Sequence, residues 1–387
     1  MRKSSREQRL GLPKNLVVWD ANPFNPYGGE VARILALLGP NVRRYCRPET
    51  ALQAPGVDER PIIPKGSGGI RDMRTMVGHV VALSRFMLYV IARRPVVILP
   101  WTEKHERPVI AAIQLLAIRT IIVVHNPVPG RDEATSDARV VRLRRRAERL
   151  VVHTPRLVAE ASKYGRVTVA PHPSYAGWVA SMERLASRST RAADRTRRAL
   201  YLGSARADKG FDSIPALAKH LSANGMELTV AVGMLSKEQR VELEEVGNVS
   251  LPSPGTRYLS DADIYASLSD TDVLVAPYHN VTVSGTVLMG ISLGLPVVAF
   301  SSEAMRDVLD ASYLVEPGDL AAMASLSASV AARTHHRDGS ADSASLDARS
   351  ARGWREALLA AQGQLPSVAK AGQTKNLTGH SLEGTSA

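Results

Sequence analysis

Residues 273–298 read VLVAPYHNVTVSGTVLMGISLGLPVV, and this stretch decides the fold. The apolar run Val273–Pro277 predicts a buried strand, and a second apolar run begins at Val297. Between them, Ser284 is a good helix N-cap, and the residues after it predict a helix that ends at Leu293. A strand, a helix and a strand in this order predict a βαβ unit with two parallel strands.

The same alternation continues on both sides of this unit. In the C-terminal half it predicts strands at Ala199–Gly203, Glu227–Gly233, Asn248–Leu251, Val297–Phe300 and Tyr313–Val315. In the N-terminal half it predicts strands at Leu16–Trp19, Val96–Pro100, Thr120–Val124, Leu150–Val152 and Val167–Ala170, and helices at Glu30–Leu38, Asp72–Ala92 and Ser136–Glu148. Strands that are apolar throughout are typical of a parallel sheet covered by helices on both faces. We therefore expect an α/β fold with two doubly wound, Rossmann-like domains facing a cleft.

The polar and basic stretch 181–198 has no strand pattern and predicts a linker between the domains. We assign an N-terminal domain to 14–180 and a C-terminal domain to 199–334. Residues 350–361 have the pattern of one more amphipathic helix. Residues 363–387 contain few bulky side chains, so we expect a disordered tail there.

Composition narrows the class of protein. The single cysteine, Cys46, excludes an internal disulfide and suits a reducing cytosol. No signal peptide is visible, and the longest apolar stretch, Val80–Ala92, is interrupted by Arg85 and shorter than the roughly 20 residues that span a bilayer. The formal net charge of +12 favours anionic partners, which include nucleic acid, anionic lipid and phosphorylated substrates.

The loop before the helix at 285–293 is the first candidate binding site. Ligands of doubly wound sheets bind beyond the carboxyl ends of the strands, where this loop lies. Gly285 would let a phosphate reach the free backbone N–H groups, and the helix dipole favours an anion there by roughly 0.3–1 kcal/mol. Tyr278, Ser284 and Thr286 belong to the same loop. The alternative is an ordinary capped helix.

A second candidate site follows the strand at 199–203, where residues 203–210 read GSARADKG. Gly203 ends the strand, and Arg206 and Lys209 lie three positions apart. Arginine can hold a diphosphate as a planar fork, and lysine as a point charge. The alternative is a solvated loop with incidental charges, but the position at a strand's carboxyl end favours binding.

Two further candidate sites lie in the N-terminal half. Residues 22–30 read NPFNPYGGE, and Gly28 and Gly29 would let the backbone approach a ligand closely. His125 and Asn126 follow a predicted strand, so His125 could contact a sugar hydroxyl or a reacting centre. A plain turn and a structural histidine are the alternatives. The sequence contains no recognisable metal-binding motif, Gly-x-Ser-x-Gly elbow or phosphate-loop ending.

Together these motifs resemble the GT-B glycosyltransferases, in particular the large family-four group of retaining enzymes. The resemblance covers roughly residues 16–361. It rests on GSARADKG at 203–210, Ser-Gly-Thr at 284–286 with GLPVV at 294–298, and EPGD at 316–319. The NPFNPY motif at 22–27, Trp101, and Val-His-Asn at 124–126 are similar to a bacterial polysaccharide-type subgroup.

The resemblance implies a role for each motif. The donor diphosphate would be gripped by Arg206, Lys209, Ser284, Gly285 and Thr286. His125 would line the reaction centre, and the helix at 350–361 would pack back on the first domain. The donor would be a nucleotide diphosphate sugar. Neither a cofactor nor a metal is expected, because side chains and a helix end can neutralise the leaving diphosphate.

The sequence departs from the family at one place. Many members carry two glutamates eight positions apart, where this chain has Val281 and Met289. The first glutamate contacts the donor sugar and the second contacts the ribose. Their replacement leaves the donor sugar and the stereochemical outcome open. An epimerase or hydrolase that acts on the nucleotide sugar, and a non-catalytic nucleotide-sugar-binding protein, are the alternatives to a transferase.

Basic residues are concentrated in the N-terminal half. One group lies around the helix predicted at 136–148, and comprises Arg139, Arg142, Arg144, Arg145, Arg146 and Arg149. The other surrounds the apolar stretch, and comprises Arg71, Arg74, Arg85, Arg93 and Arg94. A solvated surface is one reading, and docking on anionic lipid is the other.

The N-terminal domain of GT-B enzymes usually receives the acceptor. We therefore expect a glycan or lipid-linked acceptor and a cytoplasmic enzyme that associates peripherally with an anionic membrane. Nucleic acid is not an expected partner. Only 5% of the residues are aromatic, and no nucleic-acid-binding motif is present.

Overall fold

The computed structural model describes residues 11–22, 25–64, 73–102, 106–126, 137–185, 196–252, 258–279, 281–333 and 339–364. Helices and strands are numbered in chain order within these residues.

The first domain is built on a seven-stranded parallel sheet with the strand order β3-β2-β1-β4-β5-β6-β7. Its strands are β1 (Asn15–Asp20), β2 (Asn41–Cys46), β3 (Val57–Arg60), β4 (Val96–Leu99), β5 (Thr120–Val123), β6 (Arg149–Val152) and β7 (Val167–Val169). Its helices are α1 (Tyr27–Leu37), α2 (Met73–Arg93), α3 (Arg107–Leu115), α4 (Ala138–Arg146), α5 (Val158–Ala161) and α6 (Ala176–Leu185). Separate apolar clusters pack on the two faces of the sheet.

The second domain has a six-stranded parallel sheet with the order β10-β9-β8-β11-β12-β13. Its strands are β8 (Arg197–Gly203), β9 (Met226–Val232), β10 (Val249–Ser250), β11 (Val273–Ala276), β12 (Val297–Phe300) and β13 (Leu314–Val315). The helices that follow are α7 (Ile214–Ala223), α8 (Lys237–Glu244), α9 (Asp261–Ser269), α10 (Gly285–Ser292), α11 (Glu303–Arg306), α12 (Leu320–Arg333) and α13 (Ser340–Ala361). The predicted α/β fold with two doubly wound parallel sheets is confirmed.

Strands β2 and β3 were not predicted, because charged residues interrupt their apolar pattern. Arg43 on β2 pairs with Asp58 on β3, with 2.7 Å between Nε and Oδ2. Arg44 is fully buried, and its guanidinium bonds carboxylates on both neighbouring strands. A buried charge is tolerated when it is paired and hydrogen-bonded. The strand is therefore stable although its sequence is not apolar.

The domain boundaries differ in detail from the prediction. The linker predicted at 181–198 overlaps two regular elements, since α6 extends to Leu185 and β8 begins at Arg197. The last helix begins at Ser340, well before the expected start at 350. In the tail predicted at 363–387, residues 365–387 lie outside the described residues.

The second half of α13 packs on the first domain. Trp354 is fully buried in an apolar cluster with residues of β1, β4 and β5. Gly353 faces the end of β7, where a Cβ atom would lie 2.5 Å from the Cα of Ala170. A side chain there would force the helix away from the sheet, so the close crossing requires glycine.

Helix α2 is longer than the apolar stretch from which it was predicted. Over Thr75–Arg93 it is long and apolar enough to cross a membrane by length and composition, so the expectation that the stretch is too short is wrong. The reason is that the helix begins before Val80. One face of α2 nevertheless packs on the first domain, since Phe86 and Val90 are fully buried in its core.

The arginines around α4 do not form one surface. Arg144 is buried, with its guanidinium carbon 5.5 Å from the ring centre of Tyr164. Arg149 is also buried, and its Nη2 donates to the carbonyl oxygen of Ala360 at 3.5 Å. The exposed members of the group are Arg139, Arg142, Arg145 and Arg146. The structure thus reduces the predicted lipid-facing cluster to four residues.

Candidate active site

A buried ion pair lies at the carboxyl end of β1, on the side of the first domain where the sequence predicts the cleft. Asp20 ends β1 and is fully buried, and its Oδ2 accepts hydrogen bonds from Arg44 Nη2 at 2.7 Å and Nε at 3.2 Å. Its Oδ1 accepts a bond from Trp101 Nε1 at 3.1 Å. Burial raises the pKa of Asp20, and the charge of Arg44 opposes that shift. The pair therefore fixes the position of the Trp101 ring at the strand ends.

The two glycines of the first loop pack against this pair. Gly28 and Gly29 are buried at the start of α1. A Cβ atom on Gly28 would lie 2.1 Å from Asp20 Oδ2, and one on Gly29 would lie 2.8 Å from Arg44 Nη1. The close approach that these glycines allow is to side chains of the first domain. Their predicted contact with a ligand stays a prediction.

His125 lies where β5 ends, stacked on Trp101. The two rings are 4.5 Å apart with an interplanar angle of 21°. His125 Nε2 lies 3.0 Å from the carbonyl oxygen of Pro100, which can only accept, so Nε2 is the donor in this contact. Asp20, Trp101 and His125 thus form a chain of contacts that orients the imidazole. Asn126 follows it and is half-buried.

Two more histidines join His125 at the carboxyl ends of the strands. His153 follows β6 and His172 follows β7, and their rings lie 5.2 Å and 4.7 Å from the ring of Tyr27. Burial lowers the pKa of His153 well below its usual value and that of His172 to about 3. Both rings are therefore neutral near pH 7. Within the described residues, neither Tyr27 Oη nor His153 Nε2 has a hydrogen-bond partner.

On the second-domain side, three of the five residues predicted to bind the donor diphosphate, Lys209, Ser284 and Thr286, surround Tyr278. Lys209 Nζ lies 4.5 Å from the centre of the Tyr278 ring. The Tyr278 hydroxyl donates to the carbonyl oxygen of Leu202 at 3.3 Å and interacts with the side chains of Ser284 and Thr286. Burial raises the pKa of Tyr278, and those two hydroxyls oppose the shift. The structure thus brings the two predicted loops together around one aromatic ring.

The two loops approach each other closely at a glycine. Gly210 has φ +67°, and a Cβ atom there would lie 1.9 Å from the carbonyl oxygen of Pro277.

Arg206 is not part of the cluster around Tyr278. Its guanidinium is exposed and forms two bonds to Asp208, of 2.8 Å from Nε and 2.7 Å from Nη2. A diphosphate that bound Arg206 would have to compete with this carboxylate.

The start of α10 is the point where the domains meet. Ser284 caps the helix, and its hydroxyl accepts a bond from Val287 N at 3.4 Å. A Cβ atom on Gly285 would lie 2.9 Å from the hydroxyl oxygen of Tyr175, which donates to Asn25 Oδ1 at 3.3 Å. The donor loop therefore lies directly against the first-domain cluster, since the rings of Tyr175 and His172 are 5.4 Å apart.

A second contact between the domains involves Arg156, which follows β6. Its Nη2 donates to the carbonyl oxygen of Thr282 at 3.5 Å, and its Nε lies 3.4 Å from Glu303 Oε2. This cation of the first domain therefore reaches the loop that leads to α10.

The two positions that hold glutamate in many family members are apolar and buried. Val281 is 8% exposed and Met289 is 7% exposed, and both belong to the second-domain core. The second domain therefore contributes no carboxylate at these places. Within the described residues, no group of three or more His, Cys, Asp or Glu side chains is placed to hold a metal ion, and this includes the three histidines.

Sequence reasoning missed several residues of the cleft. His153 and His172 follow strands in the same way as His125, so the rule that identified His125 would have identified them. Tyr175 and Arg156 carry no such signal, because their partners lie more than a hundred positions away in the other domain.

This architecture, with facing doubly wound domains and a last helix that returns to the first, is that of the GT-B glycosyltransferases. Residues 196–331 match the family model described as "Glycosyl transferases group 1". The resemblance drawn from the sequence is therefore confirmed, and with it the prediction of a glycosyltransferase enzyme. A search of curated proteins finds no significant match.

Solved structures share the fold of most of the chain. Sucrose-phosphate synthase from Thermosynechococcus elongatus is 15% identical, with a TM-score of 0.54 over 90% of this chain and 98% of that one. An α,α-trehalose-phosphate synthase from Burkholderia xenovorans, in complex with glucose-6-phosphate, is 11% identical, with a TM-score of 0.56 over 90% and 100%. HepE from Anabaena, in complex with UDP and glucose, is 13% identical, with a TM-score of 0.53 over 91% and 98%.

Proposed function

We propose that this chain transfers a sugar from a nucleotide diphosphate sugar to a glycan or lipid-linked acceptor at the cytoplasmic face of an anionic membrane. The observation that carries the proposal is the contact of Gly285 with Tyr175. Through it, the N-terminus of a helix and a cluster of histidines share one cleft. A phosphate and a reacting sugar can therefore be held side by side.

The donor diphosphate would lie at the start of α10. Free backbone N–H groups at a helix N-terminus bind anions. Lys209, held over the Tyr278 ring, would add a positive charge, and the hydroxyls of Ser284 and Thr286 would add donors. Together these groups would neutralise the negative charge that develops on the leaving diphosphate during transfer. Transfer without a metal is part of this proposal.

His125 would face the reacting sugar. Its ring is oriented by Trp101 on one side and by the Pro100 carbonyl on the other. An imidazole fixed in one orientation can hold a hydroxyl of the sugar or accept its proton. His153 and His172 lie beside it and are neutral near pH 7, so they would shape the pocket without adding charge.

The structural relatives support a sugar nucleotide as the donor class. The HepE structure contains UDP and glucose, and the trehalose-phosphate synthase contains glucose-6-phosphate. The membrane-proximal acceptor is supported by the exposed arginines of α4, because each cation near an anionic surface is attracted by about 1 kcal/mol.

The test begins with the donor. Thermal unfolding of the full chain is measured with UDP-, GDP- and ADP-linked sugars, and the sugar that stabilises it is offered with lipid-linked and soluble acceptors. We expect His125→Ala to lower kcat far more than it weakens donor binding, because its partner is the sugar and not the diphosphate. A chain that binds a sugar nucleotide tightly yet transfers nothing to any acceptor would contradict the proposal.

A further inference from the structure

Helix α2 carries an apolar face that no described part of the chain covers. Of the thirteen exposed large apolar side chains in the described residues, six lie on this helix and are 46–68% exposed: Met76, Val77, Val80, Val81, Leu88 and Ile91. Their spacing of three, four or seven residues places them on one side of the helix. Scattered apolar residues on a surface need no explanation, but a continuous face does.

The residues around this face are cationic. Helix α2 contains no acidic residue, and Arg85 on it is exposed. At its C-terminal end lies a cavity of about 480 Å³. Its described lining contains no carboxylate and has four cations: Lys14, Arg93, Arg94 and Arg119. An apolar face with a cationic border is complementary to a surface that is apolar inside and anionic outside.

The backbone around this cavity is held in an uncommon conformation. Arg94 and Ala117, which follow α2 and α3, have φ angles of +42° and +53°. Few residues other than glycine adopt such angles. The Arg94 guanidinium donates to the carbonyl oxygen of Leu116 at 3.1 Å, which ties the two helix ends together. Leu115 and Leu116 are 74% and 41% exposed, so the apolar surface continues beside the cations.

The course of α2 relates this face to the cleft. The helix connects the end of β3 to the start of β4, which are parallel strands of one sheet. It therefore runs from the cleft edge of the sheet to the opposite edge, over about 31 Å at 1.5 Å per residue. A flat surface that contacts the whole helix also reaches the edge of the domain where the cleft opens.

We propose that the apolar face of α2 lies in the interface of an anionic phospholipid membrane, with a lipid phosphate in the cationic cavity at its C-terminal end. The proposal rests on the proposed transfer to a membrane-proximal acceptor and names the surface that docks. A second copy of the chain is disfavoured as the occupant, because two such faces would bring cations together with no acid on either helix to pair with them. A transmembrane span is disfavoured because Phe86 and Val90 are buried in the domain core.

The docking face is tested by vesicle sedimentation of the full chain. The vesicles are either phosphatidylcholine alone or equal parts phosphatidylcholine and phosphatidylglycerol. Val80→Asp combined with Leu88→Asp should weaken binding to the mixed vesicles by at least about tenfold, because apolar burial in the interface is lost. The matched control is Leu185→Asp combined with Met234→Asp, at sites that are 79% and 54% exposed elsewhere. It should bind like the wild type.

The cavity is tested with substitutions that suit its backbone. Arg94→Gly fits the positive φ, and Arg119→Ala removes a second cation. Each should weaken binding to the mixed vesicles by roughly fivefold and leave binding to neutral vesicles unchanged. Arg142→Ala combined with Arg145→Ala removes cations from α4 and should have a smaller effect than the two cavity substitutions together. The milder Val80→Ser replaces the aspartate variant if circular dichroism shows that the latter is unfolded.

Two results would overturn the proposal. One is vesicle binding by the α2 double variant that equals the wild type. The other is a wild-type dimer in sedimentation velocity that the same variant converts to a monomer while no form binds vesicles, since a second copy then occupies the face. Thermal shift with sugar nucleotides on the same preparations separates the two proposals. Vesicle binding without any nucleotide binding would sink the proposed transfer and leave the docking surface standing.

Discussion

Replacing Gly285 by alanine should strain the contact between the domains, and replacing Tyr175 by phenylalanine should relieve that strain. The added Cβ atom would lie 2.9 Å from the Tyr175 hydroxyl oxygen but 3.7 Å from its Cζ atom. The first distance requires a shift, while the second is ordinary van der Waals contact. Overpacking of this kind costs typically about 1–3 kcal/mol.

The assay is a double-mutant cycle. The free energy of unfolding in urea and the affinity for UDP, GDP and ADP are measured for the wild type, the two single variants and the double variant. Tyr175→Phe alone should cost about 0.5–1.5 kcal/mol, because it loses the hydrogen bond to Asn25. The double variant should be more stable than the sum predicts, by about 1–2 kcal/mol.

A control in the same helix separates this contact from general crowding. In Gly290→Ala the Cβ atom would meet Leu274 at 3.0 Å and Val297 at 3.1 Å, which belong to strands of the second-domain sheet. Its loss of stability should not change when Tyr175→Phe is added. If Tyr175→Phe recovers no stability in Gly285→Ala, the steric reasoning is refuted. If it restores stability but not nucleotide binding, the glycine serves the approach of a phosphate.

Three further outcomes are expected. Lys209→Ala should weaken nucleoside diphosphate binding by about 1.5–3 kcal/mol in calorimetry, and Arg206→Ala by less, because only Lys209 is held over the cleft ring. Arg44→Ala should lower the free energy of unfolding in urea by about 3–5 kcal/mol, whereas Arg43→Ala, whose ion pair is partly exposed, should change it by about 0–1 kcal/mol. Between pH 6.5 and about 3 the unfolded chain binds a proton at His172 that the folded chain excludes, so the free energy of unfolding should fall as the pH falls. His172→Phe should make that fall less steep, by up to about 1.4 kcal/mol per pH unit.

The sequence was informative where burial alone determines an element. The apolar strands of both sheets were predicted within a few residues, because a parallel strand covered on both faces must be apolar. Strand β2 was not predicted, because arginines such as Arg43 and Arg44 usually lie on the surface of a protein. Only the folded sheet brings them next to Asp58 and Asp20.

The candidate site was also predicted only in part. Lys209, Tyr278 and Ser284 were predicted from loops at strand ends, and the structure brings them together around one ring. The close contact between Gly285 and Tyr175 could not be predicted, because Tyr175 lies in the other domain. Arg206 was expected beside Lys209 because the two are close in sequence. Its side chain instead bonds Asp208, a competition that loop spacing does not reveal.

The return of α13 to the first domain has a consequence for how the protein is made. Trp354 and Leu358 complete an apolar cluster whose other members include residues of α1 and of the first-domain strands. While the ribosome is still translating the second domain, one face of the first sheet lacks the part of its cover that α13 supplies. The first domain therefore finishes folding only after α13 has been synthesised. Until then, its exposed apolar face is a target for chaperones.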